Sequence, residues 1–200
     1  MQTIARWVPR FLILGLLAGA VSGCGVNDIP TYDEAVKAAW SQVDNQYKRR
    51  ADLIPNLVEV VKGYARQEQE TLTAVVEARA KATQTQIPSD ILSNPEAFQQ
   101  FQQNQGALTQ ALSRLMVVVE RYPDLKSNQN FLSLQAQLEG TENRIAVARR
   151  DYIQAVQVYN TELRTFPGRI WAAILYSDMQ PRETFSQPES LAEPPQVNFN

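Results

Sequence analysis

Two carboxylates on one predicted helix are the first candidates for acid–base chemistry. Glu139 and Glu142 stand three residues apart, a spacing that makes side chains neighbours on a helix surface. A glycan hydrolase needs two such groups facing each other across a cleft, about 5–10 Å apart. Surface helices often carry such pairs, and a solid helical core offers no cleft. We therefore expect no catalytic residues.

The composition excludes several other kinds of chemistry. The chain has no histidine, which removes the commonest general base and the commonest metal ligand. Its one cysteine permits neither an internal disulfide nor a cysteine-rich zinc site. We therefore expect no cofactor and no metal. The 19 basic and 21 acidic residues nearly cancel, and no basic arm is present, which argues against a nucleic-acid partner.

The N-terminus has the features of a targeting segment. Arg6 and Arg10 lead into an apolar run, Phe11 to Val21, that is short for a membrane span. The following Val21-Ser22-Gly23-Cys24 resembles the lipobox of bacterial lipoproteins. The resemblance implies a signal peptide cleaved after residue 23, an acylated Cys24, export across the inner membrane and a lipid anchor in the cell envelope. The alternatives are an ordinary secretory signal or an uncleaved anchor with a chance cysteine.

The rest of the chain is dominated by helical periodicity. Apolar residues recur at three- and four-residue steps from Thr31 into the region of Gln84, from Pro95 to Tyr122, and from Phe131 to Phe166. Thr31 and Glu34 fit a capping box for the first segment. Such stripes must bury each other. The prediction is an all-α, long antiparallel helical bundle of three long helices plus a short C-terminal helix.

The predicted boundaries are a linker at 24–30, the bundle at 31–180 and an irregular tail at 181–200. Asn94-Pro95 gives an N-cap and first-turn proline for the second helix, and Ser127 or Asn128 could cap the third. The short helix is expected from Ile170 to Tyr176. Gly140, inside the third helix, could allow a neighbouring helix to approach closely.

Pro55 breaks a local rule, because proline inside a helix removes a hydrogen bond and tends to cause a kink. In one interpretation Asp52 caps a helix that restarts there. In the other, the kink exposes a backbone carbonyl near Ala51. That carbonyl forms a polar notch with Arg50 and Asn56, and a partner binds there. Both predict a bend or a non-helical residue near positions 51–55.

Two groups of polar residues are candidates for binding. They either line a groove for a partner or set helix register through ion pairs and a solvated face, and we favour the second. Exposed pairs of this kind contribute only about 0–1 kcal/mol each. The candidates are Arg49, Arg50, Asp52, Asn56, Glu139, Glu142, Asn143 and Arg144.

Several of these stretches resemble the LemA family. The matching motifs are residues 48–59, 61–65, 122–128 and 138–150, with Tyr159-Asn160, Phe166-Pro167 and Val197-Asn198-Phe199. The resemblance runs from about Thr31 to Phe199. It implies a membrane-attached helical bundle and no enzymatic activity.

The chain departs from the family pattern in three places. It carries a lipobox where family members usually keep an uncleaved transmembrane segment. Gln67 precedes Glu68 where histidine is frequent, and Ile153 follows Tyr152 where asparagine is usual. The expected function is a non-catalytic scaffold or adaptor, bound to membrane lipid through acylated Cys24, that presents helix faces to an envelope protein. The alternative is a carboxylate-only hydrolase of cell-envelope glycans.

Overall fold

The computed structural model describes residues 25–84, 88 and 90–185, and this part of the chain is all-α. The predicted signal peptide, Cys24 and the tail beyond residue 185 lie outside the described residues. Six helices are present in the described ranges, with a 3-10 turn at Ile91–Ser93 and no strand. They are α1 (Asp28–Tyr64), α2 (Gln69–Gln84), α3 (Pro95–Val119), α4 (Pro123–Lys126), α5 (Gln129–Glu162) and α6 (Gly168–Ile174).

The predicted all-α bundle is confirmed, but its first long segment is two helices, so the bundle has four main helices rather than three. α1 ends at Tyr64 and α2 begins at Gln69, after a turn closed by the Glu68 N–H donating to the carbonyl of Ala65. The Glu68 side chain accepts a hydrogen bond from the Tyr122 hydroxyl at 2.9 Å. The periodicity did not show this turn, because two antiparallel helices carry the same apolar spacing as one continuous helix.

The capping box predicted at Thr31 is not formed. α1 already begins at Asp28, and the Thr31 hydroxyl donates to the Asn27 carbonyl at 2.7 Å. The Glu34 carboxylate pairs with Lys37. Pro30 falls in the first turn of α1, where the missing N–H would have had no helical partner. The helix can therefore start before the proline.

α1 is not interrupted at Pro55, so the non-helical residue predicted as one alternative near positions 51–55 is not present. α1 is helical through Pro55, and Asp52 is an exposed residue in mid-helix rather than an N-cap. The carbonyl of Ala51 loses its helical donor to the proline and accepts instead from Arg79 Nε on α2, at 2.8 Å. A neighbouring helix thus replaces the missing hydrogen bond.

Two predicted helix starts are confirmed, whereas α5 ends at Glu162 rather than near Phe166, and the four-residue α4 was not predicted. The Asn94 side chain caps α3 by accepting from the Ala97 N–H at 3.1 Å, and Asn128 caps α5 by accepting from Phe131 N–H at 3.1 Å. The short C-terminal helix is present as α6. At Gly140 a methyl group would meet only the end of Arg144, at 3.5 Å, so no close helix approach explains this glycine.

The chain divides into two compact units. The larger comprises residues 39–153 and 183–185 of the described chain. In it, Arg79 contacts Ala51, Gln105 contacts Ala82, and Tyr64 contacts Asn128. These contacts show that successive long helices alternate in direction, as in an antiparallel four-helix bundle. Its apolar core includes Ile54, Leu57, Leu108, Leu115, Phe131 and Leu138, and a second cluster comprises Trp40, Tyr47, Phe98, Phe101, Tyr152 and Phe185.

The smaller unit comprises residues 25–38 and 154–182 of the described chain. At its centre the buried Asp33 accepts from Arg182 Nε and Nη2, at 2.9 and 2.6 Å. The Asn160 side chain exchanges two hydrogen bonds with the Arg182 backbone, at 2.8 and 2.9 Å. Tyr159 donates to the Gln180 carbonyl at 3.1 Å. Residues 180–182 are irregular, yet these bonds fix them to two helices.

Candidate functional site

Arg50 is the most deeply buried charged residue among the described positions, with 1% of its surface exposed. Its Nη1 donates to the Thr109 hydroxyl at 2.9 Å and to Glu142 Oε1 at 3.0 Å. Its Nη2 donates to Gln105, to Oε1 at 2.6 Å and to the carbonyl at 3.3 Å. The Nε is buried without a hydrogen-bond partner. α1, α3 and α5 therefore meet at this guanidinium, which is stabilised because most of its donors are satisfied.

A cleft of about 440 Å³ opens beside this guanidinium. We call it the Arg50 cleft, and its principal polar walls are Tyr47, Arg50, Gln102, Thr109, Glu142 and Arg149. The Arg149 guanidinium lies over the Phe185 ring, 4.4 Å from its centroid, and Arg50 lies 5.0 Å from the centroid of Tyr47. The cleft thus combines cations, amides and aromatic rings within one unit of the molecule.

The buried Tyr47 side chain lines the Arg50 cleft. Burial raises its pKa above the ordinary value of 10.0, while the positive charges of Arg149 and Arg50 act in the opposite direction. The phenol is therefore neutral at physiological pH and can both donate and accept a hydrogen bond. It lacks the lowered pKa that a nucleophile or base would need near pH 7.

Of the candidates named from sequence, the structure joins Arg50 to Glu142 and places Arg144 nearby on α5. Arg144 Nε donates to Gln46 on α1 at 3.2 Å, and its Nη2 donates to Thr141 at 2.9 Å. These contacts connect α5 to α1, as a register-setting role requires.

The remaining candidates are exposed, and only those on α5 share a cleft. Glu139 accepts from Gln135 at 2.9 Å and lines, with Glu142 and Asn143, a second cleft of about 460 Å³ between α3 and α5. This cleft shares Thr109 and Glu142 with the Arg50 cleft. Arg49, Asp52 and Asn56 lie exposed on α1. Arg50 and Asn56 therefore do not share the polar notch proposed from sequence, and the Ala51 carbonyl is occupied by Arg79.

Sequence reasoning missed several residues of this site. Gln105 is a buried acceptor for Arg50, and Arg149 and Tyr47 line the cleft. One signal was present: Gln105 occupies an apolar seam position of α3, where a buried amide needs a partner. Nothing local identified Arg149 or Arg79, because their partners lie far from them in the sequence.

The ionisable groups at the Arg50 cleft and beside it are paired, exposed or neutral. Glu142 is paired with a cation, Glu139 is exposed, and the phenol is neutral. Among the described residues no group of histidine, cysteine or carboxylate side chains could hold a metal ion. What the Arg50 cleft offers is a set of hydrogen-bond donors and acceptors on rigid helices, which can position a polar partner.

Fold and site together define a helical-bundle protein with a polar inter-helix cleft. The LemA family model matches residues 39–199, and the chain belongs to that family.

Three relatives share about a quarter of their aligned residues with the chain. The protein named Magnetosome protein MamQ 2 of Paramagnetospirillum magneticum is 27% identical over 167 residues, covering 74% of this chain. Magnetosome protein MamQ of Magnetospirillum gryphiswaldense is 25% identical, over 74% of this chain. Protein LemA of Metamycoplasma hominis is 25% identical, over 70% of this chain. The matches span 60% of the length of each of these relatives.

Proposed function

We propose that this protein is a non-catalytic, membrane-attached adaptor that binds a protein partner of the cell envelope through the Arg50 cleft. The observation that carries the proposal is the buried Arg50, which orders Gln105, Thr109 and Glu142 at the wall of an accessible polar cleft. A buried cation is costly unless it is paired, and here its partners on α3 and α5 also line the cleft. The rigid polar wall is what a partner would recognise.

The membrane attachment is proposed to be an acylated Cys24. The N-terminal apolar run and the lipobox-like sequence support it. No helix in the described part of the chain is both long and apolar enough to cross a bilayer. Cells fed a fatty-acid probe should label the wild-type protein, while Cys24→Ser should remain unlabelled and retain residues 1–23. A wild-type protein without label would contradict acylation.

The partner can be trapped with a photo-crosslinking residue at Gln102, which lines the Arg50 cleft. Gln110 provides a matched control, because it is a glutamine of the same helix that lines a different groove, beside α2. We expect irradiation of intact cells to give a discrete adduct from position 102 and none of that mass from position 110. Equal adducts at both positions would mean that the cleft is not the binding surface.

Removing a positive charge inside or outside the cleft gives a second test. Arg149 lines the cleft, whereas its neighbour Arg150 is exposed and pairs with Asp151 at 3.7 Å. Arg149→Ala should lose the adduct at position 102 while thermal stability stays close to wild type. Arg150→Ala should keep the adduct. If both variants keep it, binding does not depend on the Arg50 cleft.

A carboxylate-only hydrolase is the less favoured alternative, because Glu142 is paired with Arg50 although Glu139 and Glu142 line one cleft. It predicts turnover of cell-wall glycans that disappears in Glu142→Gln. The adaptor predicts no turnover by the wild-type protein. Release of reducing ends from purified glycan by the wild-type protein, but not by Glu142→Gln, would replace the adaptor proposal.

A further inference from the structure

The smaller unit carries an apolar surface that its own residues leave uncovered. Phe166 is 82% exposed and Ile174 68% exposed, and Ile170 and Leu175 are also exposed. Ile170 and Ile174 stand four residues apart, as do Trp171 and Leu175, so these four side chains share one helix face. Soluble surfaces rarely gather large apolar side chains in this way without an occupant. We call Phe166, Ile170, Trp171, Ile174 and Leu175 the α6 patch.

The position of the α6 patch indicates its occupant. A Cβ atom built on Gly25 would lie 3.5 Å from Pro167 Cγ, so the start of the described chain touches the loop that carries Phe166. Residue 24 is one peptide bond from Gly25, and consecutive Cα atoms are about 3.8 Å apart. An acyl chain on residue 24, or an apolar segment ending there, therefore enters the bilayer next to the α6 patch.

The polar residues around the patch fit the same environment. Arg164 and Arg169 are exposed beside it, and long basic side chains can lay their stems on apolar surface while their charge reaches the lipid headgroups. Trp171 and Tyr176 are half-buried aromatic residues with a polar atom, the kind enriched where a membrane meets water. Short amphipathic elements of this composition lie in the plane of the interface rather than crossing it.

We infer that the α6 patch inserts into the headgroup and acyl boundary of the membrane beside the N-terminal anchor. The inference rests on the proposed membrane attachment and adds a second contact to it. A single flexible anchor would leave the smaller unit free to rotate, whereas anchor and α6 patch together fix which of its surfaces faces the lipid.

Spin-label depth measurement tests this on the full chain reconstituted in phosphatidylethanolamine–phosphatidylglycerol vesicles. Cys24 is the only cysteine, and acylation would block its thiol, so a nitroxide can be attached at Ile174→Cys. Val117→Cys is the matched control, since Val117 is a branched aliphatic residue that is 70% exposed on the other unit. Vesicle flotation, run on the same samples, reports membrane attachment separately.

We expect protein that floats with the vesicles to show a label at position 174 that collides with dissolved oxygen more than with a water-soluble nickel chelate. The label at position 117 should show the reverse. Floating protein whose label at 174 collides mainly with nickel would overturn the inference while leaving the attachment intact. A label shielded from both reagents would mean that protein, such as a second copy of the chain, covers the patch. Protein that does not float would overturn both proposals.

Discussion

Arg50 is buried because acceptors from two other helices converge on it. Gln105 and Thr109 on α3 and Glu142 on α5 accept from its two terminal nitrogens. The Glu142 side chain keeps 40% of its surface exposed, so solvent screens part of its attraction to the cation. The neutral acceptors therefore contribute much of what stabilises the buried charge.

Replacing Glu142 with glutamine tests how much the ion pair contributes to stability beside the neutral acceptors. Glu142→Gln keeps an oxygen acceptor but removes the counter-charge of a buried cation. We expect the free energy of unfolding to fall by about 1–2 kcal/mol, less than the 3–5 kcal/mol typical of a fully buried pair. Glu139→Gln, three residues away and exposed, should change it by less than about 0.5 kcal/mol. Urea denaturation of both variants measures the difference, and equal effects would contradict the importance of the ion pair.

Tyr47 should make the protein sensitive to alkali. Burial raises the pKa of its phenol above 10.0, so the unfolded chain loses this proton at a lower pH than the folded chain does. The free energy of unfolding should therefore fall as pH rises above about 10, because the folded state then holds the additional proton. Tyr47→Phe should flatten the decline in melting temperature between pH 9 and 11. Parallel curves for the two proteins would contradict this assignment.

At the scale of helices, Arg79 on α2 compensates for the hydrogen bond that Pro55 removes from α1. Proline removes the N–H that would serve the Ala51 carbonyl, and Arg79 supplies a donor at 2.8 Å. Pro55 itself is exposed, so its ring meets little resistance from the core. α1 therefore continues through a residue that usually ends or kinks a helix, and the compensating contact also holds α2 against α1.

A double-mutant cycle should detect this compensation. Arg79→Leu should cost about 1–2 kcal/mol in the wild-type background, because the Ala51 carbonyl is left without a donor. In Pro55→Ala the new N–H serves that carbonyl, and Arg79→Leu should then cost less by about 1 kcal/mol. Chemical denaturation of the four proteins gives the coupling. If the two substitutions have additive effects, the contribution of Arg79 to stability does not depend on Pro55.

At the scale of the whole molecule, the irregular residues 180–182 and 183–185 are each hydrogen-bonded within their own unit. In the smaller unit, Arg182 joins Asp33 and Asn160. In the larger unit, the Glu183 N–H donates to Leu92 at 2.7 Å, and Tyr152 donates to the Glu183 carbonyl at 2.7 Å. Phe185 completes the aromatic cluster around Trp40. These residues thus belong to the cores despite their lack of secondary structure.

Breaking the Arg182 contact should release residues 180–185. Arg182→Ala removes two hydrogen bonds from the buried Asp33, which keeps the half-exposed Lys37 as an ion-pair partner, at 2.9 Å. We expect this loss to cost about 1–3 kcal/mol. We expect amide hydrogen exchange to accelerate at residues 180–185 and in the first turns of α1. Arg164→Ala, an exposed arginine of the same unit, is the control. Unchanged protection at 180–185 would show that Arg182 does not hold the segment.

The sequence by itself determined the fold class, the family motifs and most helix boundaries, because these depend on local features. Asn94 and Asn128 each cap a helix that starts within two residues, and apolar periodicity marks the buried faces. It could not place the turn after Tyr64, since reversing a helix leaves its periodicity unchanged. Arg50 and Glu142 were candidates, but their meeting depended on helix order and rotation.

Only the tertiary structure decided which polar residues act together. The Arg50–Glu142 pair joins positions 92 residues apart, and Arg79 reaches Ala51 across 28 residues. Such contacts depend on the axial register of packed helices, and neighbouring residues along the chain do not encode that register. The same packing buries Gln105 beside Arg50 and leaves the α6 patch uncovered, because burial is a property of what surrounds a side chain.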